Sequence, residues 1–362
     1  MTAKINDEKI MTRALKLAQK GIGHTSPNPA VGCAIVKNGE IIAGDYHHKA
    51  GSSHAEILAL KKAGNAAKGS DLYVTLEPCC IYGRTPPCTE AIIKAGIKRV
   101  VIGTLDPNPS VNGKGVKCLQ EAGIEVEHGI LQQQCEEINR GYNKYITTGL
   151  PYVTIKYAQS LDGRIATSTC SSQWISGEKS LKFAHQLRVK YDAVLIGAHT
   201  ANIDDPQLTV RKARGKNPIR ILLTDSGRLN NNLRLLADNN AQTIIATSRK
   251  GFTQCRGESF EKANIITLPV KSNGLDLKAL LRKLGDKNIT SLLVEGGSKV
   301  ITSFLKQKLA DSIIVITAPI IIGEGISAIN DLDIKTIDSS IKLINKKMIK
   351  LSPDYVICGD IK

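Results

Sequence analysis

Apolar residues at Ile10, Ala14, Leu17 and Ala18 recur at helical spacing within residues 7–20, and a short polar stretch then leads to two apolar runs, "AVGCAIV" and "EIIAG". Asn38-Gly39 separates the runs, and this dipeptide favours a tight type I′ turn, so the pattern predicts a β-hairpin. A helix opening near His54, a strand "LYVTL" at 72–76, a helix opening near Cys88 and a strand "RVVIGTL" at 99–105 follow. "VKCLQEAGIEVEHGI" reads as one more helix and strand, and a last helix is expected to end around Asn143. From Pro151 the alternation resumes through "PYVTIKYAQ", "YDAVLIGAHT", "PIRILLT", "AQTIIAT", "SLLVEGG" and "DSIIVITAPII". Strands that alternate with helices indicate layered α/β structure. At about 150 residues per domain, the 362-residue chain divides into two domains, 1–146 and 147–362.

Composition narrows the function classes. No run of about 18 apolar residues predicts a membrane span, and the polar, amphipathic N-terminus lacks the central apolar block of a secretory signal. A cytoplasmic protein without membrane association is expected. Nine cysteines, an odd number without an export signal, point to reduced thiols rather than a disulfide framework. Cys33, Cys118, Cys135, Cys170, Cys255 and Cys358 stand alone and are expected to be buried small hydrophobes. The net charge of +16 is uneven: residues 1–150 carry 18 Lys and Arg against 14 Asp and Glu, leaving 31 against 19 for the rest. Such a charge suits nucleic acid, small phosphorylated ligands or plain solubility, and with 4% aromatic residues, no RGG tract and no long Lys run, nucleic-acid binding is not expected.

The candidate chemistry is concentrated in "HAE", His54 to Glu56, and in "EPCCIYGRTPPC", residues 77–88. A zinc ion favours imidazole and thiolate ligands in a tetrahedron, and a catalytic zinc keeps its fourth position open. His54, Cys88 and one of the adjacent pair Cys79 and Cys80 supply three ligands. Cys79, which follows Pro78 directly, is favoured, and Cys80 is its competitor because neighbouring cysteines cannot easily face one ion together. Placement at predicted helix starts favours the thiolate form. Glu56, two residues from the histidine, is placed to carry protons between an attacking water and a substrate ring. The order HxE then PC…C is that of the zinc nucleobase deaminases, although here eight residues separate Cys79 from Cys88.

"TSPNPAVGCAIV", "HHKAGSSHAE", "LEPCCIYGRTPPC" and "RVVIGTLDPNPSVNGKG" resemble the deaminase half of the bifunctional riboflavin-biosynthesis deaminase/reductase family, and "KYAQSLDGRIA", "SSQWISG", "HQLRVKYDAVLIGAHTANIDDPQLTVR" and "VEGGSKV" resemble its reductase half. The likeness spans roughly residues 7 to 330 and implies a cytidine-deaminase-like layered domain followed by a dihydrofolate-reductase-like domain. It implies zinc and NADPH as cofactors, small phosphorylated pyrimidines as partners, and a homo-oligomer. The implied reactions are removal of the 2-amino group of a 2,5-diamino-6-ribosylaminopyrimidinone 5-phosphate, then reduction of its ribosyl chain to ribityl. His54, Cys79 and Cys88 match the family's zinc ligands and Glu56 its proton carrier, while Asn28 and His47 match substrate contacts. In the second half Ala158, Trp174, Thr200, Asp204, Ser226 and the run Gly297, Ser298, Lys299, Val300, Ile301, Thr302 and Ser303 match the NADPH face. Ser172, Arg188, Leu208, Arg211 and Glu295 match the substrate face.

Residue chemistry adds to these matches. Arg188 and Arg211 can fork onto a phosphate. Lys156 and Asp162 are candidates to polarise or protonate the opened sugar. The strand running into Gly296-Gly297 and a helix offers backbone donors for phosphate. Ile81 stands where relatives commonly carry a histidine, which leaves the zinc triad whole but removes a polar group near the substrate mouth.

Overall fold

The computed structural model describes residues 2–82, 86–272 and 274–362, and the chain falls into two compact units, Met1–Gly149 and Leu150–Lys362. Gly83 to Thr85, in the spacer between Cys79 and Cys88, lie outside the described residues.

The first unit is built on five strands, β1 (Gly32–Lys37), β2 (Glu40–Tyr46), β3 (Asp71–Leu76), β4 (Arg99–Thr104) and β5 (Glu125–His128), in the order β2-β1-β3-β4-β5. β1 and β2 form the antiparallel hairpin, and Asn38 and Gly39 take φ of 54° and 81° as a type I′ turn requires. β3, β4 and β5 run parallel. The helices are α1 (Thr2–Ala18), α2 (Ala55–Ala63), α3 (Cys88–Lys94), α4 (Lys114–Glu121), α5 (Gln132–Ile138) and α6 (Arg140–Thr148). The period-2 alternation of the strands divides the core between the sheet's two faces. Cys33, Ile35, Leu72 and Val74 belong to one buried cluster with Ala55, Ala59 and Ile92, whereas Ala34, Val36 and Tyr73 belong to a second with Met11 and Ala14 of α1. The last helix does not end at Asn143: α5 stops before Asn139 and α6 runs to Thr148, where Gly149 at φ 70° closes it.

The second unit carries β6 (Tyr152–Gln159), β7 (Arg164–Thr167), β8 (Ala193–Gly197), β9 (Ile219–Thr224), β10 (Thr243–Ser248), β11 (Ala263–Leu268), β12 (Val270–Lys271), β13 (Gly274–Leu275), β14 (Ser291–Gly296), β15 (Ser312–Thr317), β16 (Gly325–Ser327), β17 (Leu343–Leu351) and β18 (Asp354–Ile361). Its main sheet has the order β11-β10-β9-β8-β14-β6-β15-β18-β17. β11 through β15 in that order are parallel, and the hairpin β17-β18 adds antiparallel to β15. α7 (Glu178–Lys190), α8 (Ala198–Asp204), α9 (Arg234–Ala237), α10 (Arg249–Phe252), α11 (Leu277–Gly285) and α12 (Ser298–Lys306) complete it. The central strand β8 is buried along its whole length, as expected for a parallel strand covered on both faces. α11 and α12 supply one core layer through Leu280, Leu281, Leu284, Ile301 and Phe304, and the opposite face buries Val194, Ile196, Leu222 and Ile245.

The isolated cysteines divide. Cys33, Cys135 and Cys255 are buried as expected, but Cys118, Cys170 and Cys358 are only partly covered. Cys358 lies in the terminal hairpin with its thiol 3.6 Å from the Lys347 carbonyl oxygen of the neighbouring edge strand, and Cys170 takes φ 67°.

Candidate active sites

In the first unit two helix starts and the end of a strand bring the metal-ligand candidates together. His54 is the residue immediately before α2, Cys88 is the first residue of α3, and Cys79 lies three residues beyond β3. His54 Nδ1 lies 3.1 Å from Cys88 Sγ and 3.6 Å from Cys79 Sγ, and all three ligand atoms fall within 4.8 Å of one another. Cys80 does not join this cluster. The Cys88 N–H donates to Cys79 Sγ at 3.4 Å. The hydrogen bond between the two cysteines lowers the Cys79 thiol and raises that of Cys88. The hydrogen bond with Cys79 raises His54 despite its burial. An imidazole and two soft sulfurs gathered at this spacing suit a zinc ion.

Glu56, 3% exposed, lies in the first turn of α2, and burial raises its carboxyl above the ordinary value. His47 is buried with its ring centroid 5.4 Å from that of His54, edge to face. Asn28 Nδ2 donates to His47 Nε2 at 3.2 Å, which leaves His47 Nδ1 to carry the proton and donate to the Ser53 carbonyl at 3.2 Å. Burial lowers the His47 pKa, consistent with this neutral tautomer. The chain therefore assembles Asn28, His47, His54, Glu56, Cys79 and Cys88 in one place. Ile81, in contrast, is exposed.

Several residues that fix this arrangement carry no local signal. The buried carboxylate of Glu77 accepts the N–H groups of Asp106 and Gly113 through Oε2 at 3.1 and 3.0 Å, and that of Val116 through Oε1 at 3.2 Å. These bonds pin the Pro78-Cys79 loop against the start of α4, where a Cβ on Gly115 would lie 2.2 Å from the Pro78 carbonyl oxygen. Asn139, between α5 and α6, accepts from Ala30 N at 2.8 Å and donates to Ala30 O at 3.0 Å, holding the turn that presents Asn28. Tyr142 donates to Asp106 at 2.9 Å. Only three-dimensional contact distinguishes these residues from ordinary polar positions.

In the second unit Glu295, on β14, is gripped by Arg188 of α7 through Nε at 2.8 Å and Nη2 at 2.7 Å, while Arg188 Nη1 donates to the Thr209 carbonyl at 3.2 Å. Three of the five guanidinium N–H donors are thereby used. Lys156 lies on the adjacent strand β6, half-buried, and burial lowers its pKa while the Glu295 charge opposes that shift. Arg211 donates from Nη1 to Thr209 Oγ1 at 2.9 Å. Leu208 is buried at φ 52°. Asp162 is the exception among the residues singled out: its two oxygens accept from Ile322 and Gly323 N–H at 3.1 and 2.7 Å, and hydrogen bonds, that with Ser160 foremost, lower it to about 2. An anion so held anchors the 320s loop and is a poor proton donor.

Thr200 Oγ1 accepts the Gly297 N–H at 3.0 Å, and Ser172 Oγ donates to Asp204 Oδ1 at 3.2 Å. Gly296 takes φ 125°, and a Cβ on Gly297 would lie 2.8 Å from Thr200 Oγ1, so this strand-to-helix turn requires glycine. No side chain caps the start of α12, Ser298 to Ser303, and its backbone donors form a cradle suited to a phosphate. Ser298 donates to Asn330 Oδ1 at 3.0 Å, Thr302 bonds the Ser298 carbonyl, and Lys299 is exposed. Ala158 lies on β6, Trp174 is exposed just before α7, and Ser226 is exposed beyond β9.

Comparison with known proteins decides the family. The RibD C-terminal domain matches residues 151–357, and the cytidine and deoxycytidylate deaminase zinc-binding region matches residues 4–104. The chain is 47% identical over 352 residues to the riboflavin biosynthesis protein RibD of Aquifex aeolicus, covering 97% of each chain. The chain belongs to the RibD family. The RibD of Escherichia coli strain K12 is 40% identical over 332 residues, 88% of this chain and 89% of that one. Among solved structures, Acinetobacter baumannii RibD superposes with a TM-score of 0.87 at 35% identity over 99% of both chains. The Thermotoga maritima diaminohydroxyphosphoribosylaminopyrimidine deaminase/5-amino-6-(5-phosphoribosylamino)uracil reductase gives 0.87 at 36% identity, over 99% of this chain and 100% of that one. As a RibD protein the chain is a bifunctional enzyme of riboflavin biosynthesis, a zinc-dependent deaminase with a cytidine-deaminase-like fold followed by an NADPH-dependent reductase with a dihydrofolate-reductase-like fold. No described helix is long and apolar enough to cross a membrane.

Proposed function

We propose that the deaminase step converts 2,5-diamino-6-ribosylamino-4(3H)-pyrimidinone 5-phosphate to the uracil and ammonia, with the zinc held by His54, Cys79 and Cys88. The observation that carries this reading is the convergence of those three ligand atoms within 4.8 Å beside the buried Glu56. Zinc there supplies a Lewis acid that lowers the pKa of water. Glu56 takes one proton from the attacking water and passes it to the pyrimidine ring nitrogen, then takes the remaining hydroxyl proton of the adduct and delivers it to the amine, so that the carbonyl forms as the C–N bond breaks and ammonia leaves. Asn28 and His47 orient the ring. Their mutual hydrogen bond fixes which edge of each faces the substrate.

The reductase step then saturates C1 of the ring-opened imine, which requires a hydride at carbon and a proton at nitrogen. NADPH supplies the hydride. Its cradle is formed by Ala158, Trp174, Thr200, Asp204, Ser226 and the Gly297 to Ser303 turn. Lys156, with its pKa lowered by burial, is the proton donor, because Asp162 is committed to the 320s loop. Arg211 and the two remaining N–H groups of Arg188 bind the substrate phosphate, with Ser172, Leu208 and Glu295 shaping the site around it. Incubating the purified protein with the diaminopyrimidine phosphate, with and without NADPH, tests both halves. Ammonia release is expected without NADPH, and NADPH consumption only once the deaminated product is present; absence of ammonia release by zinc-loaded protein would contradict the reading.

The domains are divided at the end of α6, and the enzyme works in the reducing cytoplasm, where the ligand thiols stay free. It is a homo-oligomer. This last reading is supported by exposed apolar side chains on the terminal hairpin, where Met348, 71% exposed, pairs with Ile357, Tyr355 lies two positions along, and Lys350 borders them. Light scattering of Met348→Lys and Ile357→Lys tests it. A smaller assembly than that of the parent is expected, and an unchanged mass would remove the hairpin as the interface.

A further inference from the structure

His185 belongs to none of the matched or chemically obvious positions, yet it is 6% exposed in the middle of the reductase site. It sits on α7 one turn before Arg188, on the same face of the helix. Its Nδ1 accepts the backbone N–H of Arg211 at 3.2 Å. Around it the segment 208–211 is held at successive points. Leu208 is buried, the Thr209 carbonyl accepts from Arg188, Val210 N donates to Asn217 Oδ1 at 2.7 Å, and the Arg211 guanidinium turns back onto Thr209 Oγ1.

We propose that His185 is a positioning residue for the reductase: by stapling the backbone of Arg211 onto α7, it aims the Arg211 guanidinium at the substrate phosphate and so sets the preference for phosphorylated over unphosphorylated substrate. This rests on the reading of Arg211 as a phosphate ligand. The bond requires an unprotonated Nδ1. Burial first, then the positive charges of Arg188 and Arg211, lower the His185 pKa to about 4, so the acceptor persists at neutral pH. A freed 208–211 segment keeps its guanidinium but loses its aim, which weakens binding of the phosphate without touching the reacting carbon.

The test measures NADPH oxidation with 5-amino-6-(5-phosphoribosylamino)uracil and with its dephosphorylated counterpart. In His185→Ala the KM for the phosphorylated substrate rises by about tenfold while kcat stays within about twofold, the pattern of lost ground-state binding. The KM for the dephosphorylated substrate stays near that of the parent. His185→Asn, whose Oδ1 occupies the place of Nδ1, restores most of the loss, and His185→Gln, whose oxygen falls nearer Nε2, does not. NADPH affinity by fluorescence quenching reports that each variant is folded, and the Asn and Gln pair decides the matter should His185→Ala fail to fold. Equal KM changes for both substrates, or equal behaviour of Asn and Gln, would overturn the proposal. Arg211→Ala separates its premise: if that variant keeps the phosphate preference, the assignment of Arg211 is what fails; if it loses the preference while His185→Ala keeps it, only the role of His185 fails.

Discussion

Arg188 of α7 and Glu295 of β14 form a two-pronged ion pair, Nε to Oε1 at 2.8 Å and Nη2 to Oε2 at 2.7 Å, with both side chains largely buried. Removing one member of a buried pair leaves the other charge uncompensated, at a typical cost of about 3–5 kcal/mol. Glu295→Gln also leaves Lys156 without its neutralising neighbour. The expected outcome is a lower melting temperature and reductase activity reduced by about two orders of magnitude. Arg188→Lys replaces the fork with a single point donor, so a smaller loss is expected, measured by NADPH oxidation and thermal unfolding of both variants. Parent-like values in Glu295→Gln would show that the pair holds nothing in place.

The same pair sets an acid limit. Burial alone would raise the Glu295 carboxyl, but the Arg188 and Lys156 charges outweigh it and hold the group at about 2, below its ordinary 4.5. A carboxyl depressed on folding contributes its full stability above the unfolded value and loses it as pH falls through the folded one. Stability of the parent should therefore fall between about pH 4.5 and 2, and the fall should be shallower in Glu295→Gln. Acid titrations of unfolding free energy, parent against variant, measure the difference; parallel curves would exclude Glu295 as a contributor.

Glu77 supports the zinc loop from behind. Its three backbone partners all lie in the segment from Asp106 to Val116. In Glu77→Gln one oxygen becomes a donor facing donors, which costs about 2 kcal/mol for groups left unpaired. Zinc affinity, read by competition with a chelator, should drop by about tenfold, the lower end of what outer partners contribute. Unchanged affinity would separate the loop's anchoring from its metal site.

Local rules made part of this structure legible. Asn38-Gly39 dictates its hairpin, and the residue types and spacing of His54, Cys79 and Cys88 anticipate the cluster that the fold gathers within 4.8 Å. Glu77, Asn139 and His185 were not legible, since each acts on backbone 26 to 109 residues away. The terminal hairpin escaped for another reason: Lys346, Lys347 and Lys350 break the apolar alternation of β17, as suits a sheet edge. Asn139 interrupts the periodicity of residues 132–148, which hid the length of α6.

The cysteines should separate by metal content. Cys79→Ser and Cys88→Ser exchange a thiolate for a neutral hydroxyl and should each lower bound zinc, whereas Cys80→Ser should retain close to one zinc per chain. Elemental analysis of the purified variants decides it. Loss of metal in Cys80→Ser with retention in Cys79→Ser would move the ligand by one residue.

The central claim is that Glu56 moves protons beside a metal it does not hold. In Glu56→Gln, zinc content should equal that of the parent while ammonia release from the diaminopyrimidine phosphate falls by about two to four orders of magnitude. NADPH oxidation should stay at the parent rate when the deaminated pyrimidine is supplied directly. Zinc and ammonia measured on one preparation give the most direct answer: full zinc with lost deamination is the predicted result, and lost zinc or near-normal ammonia release would contradict the account.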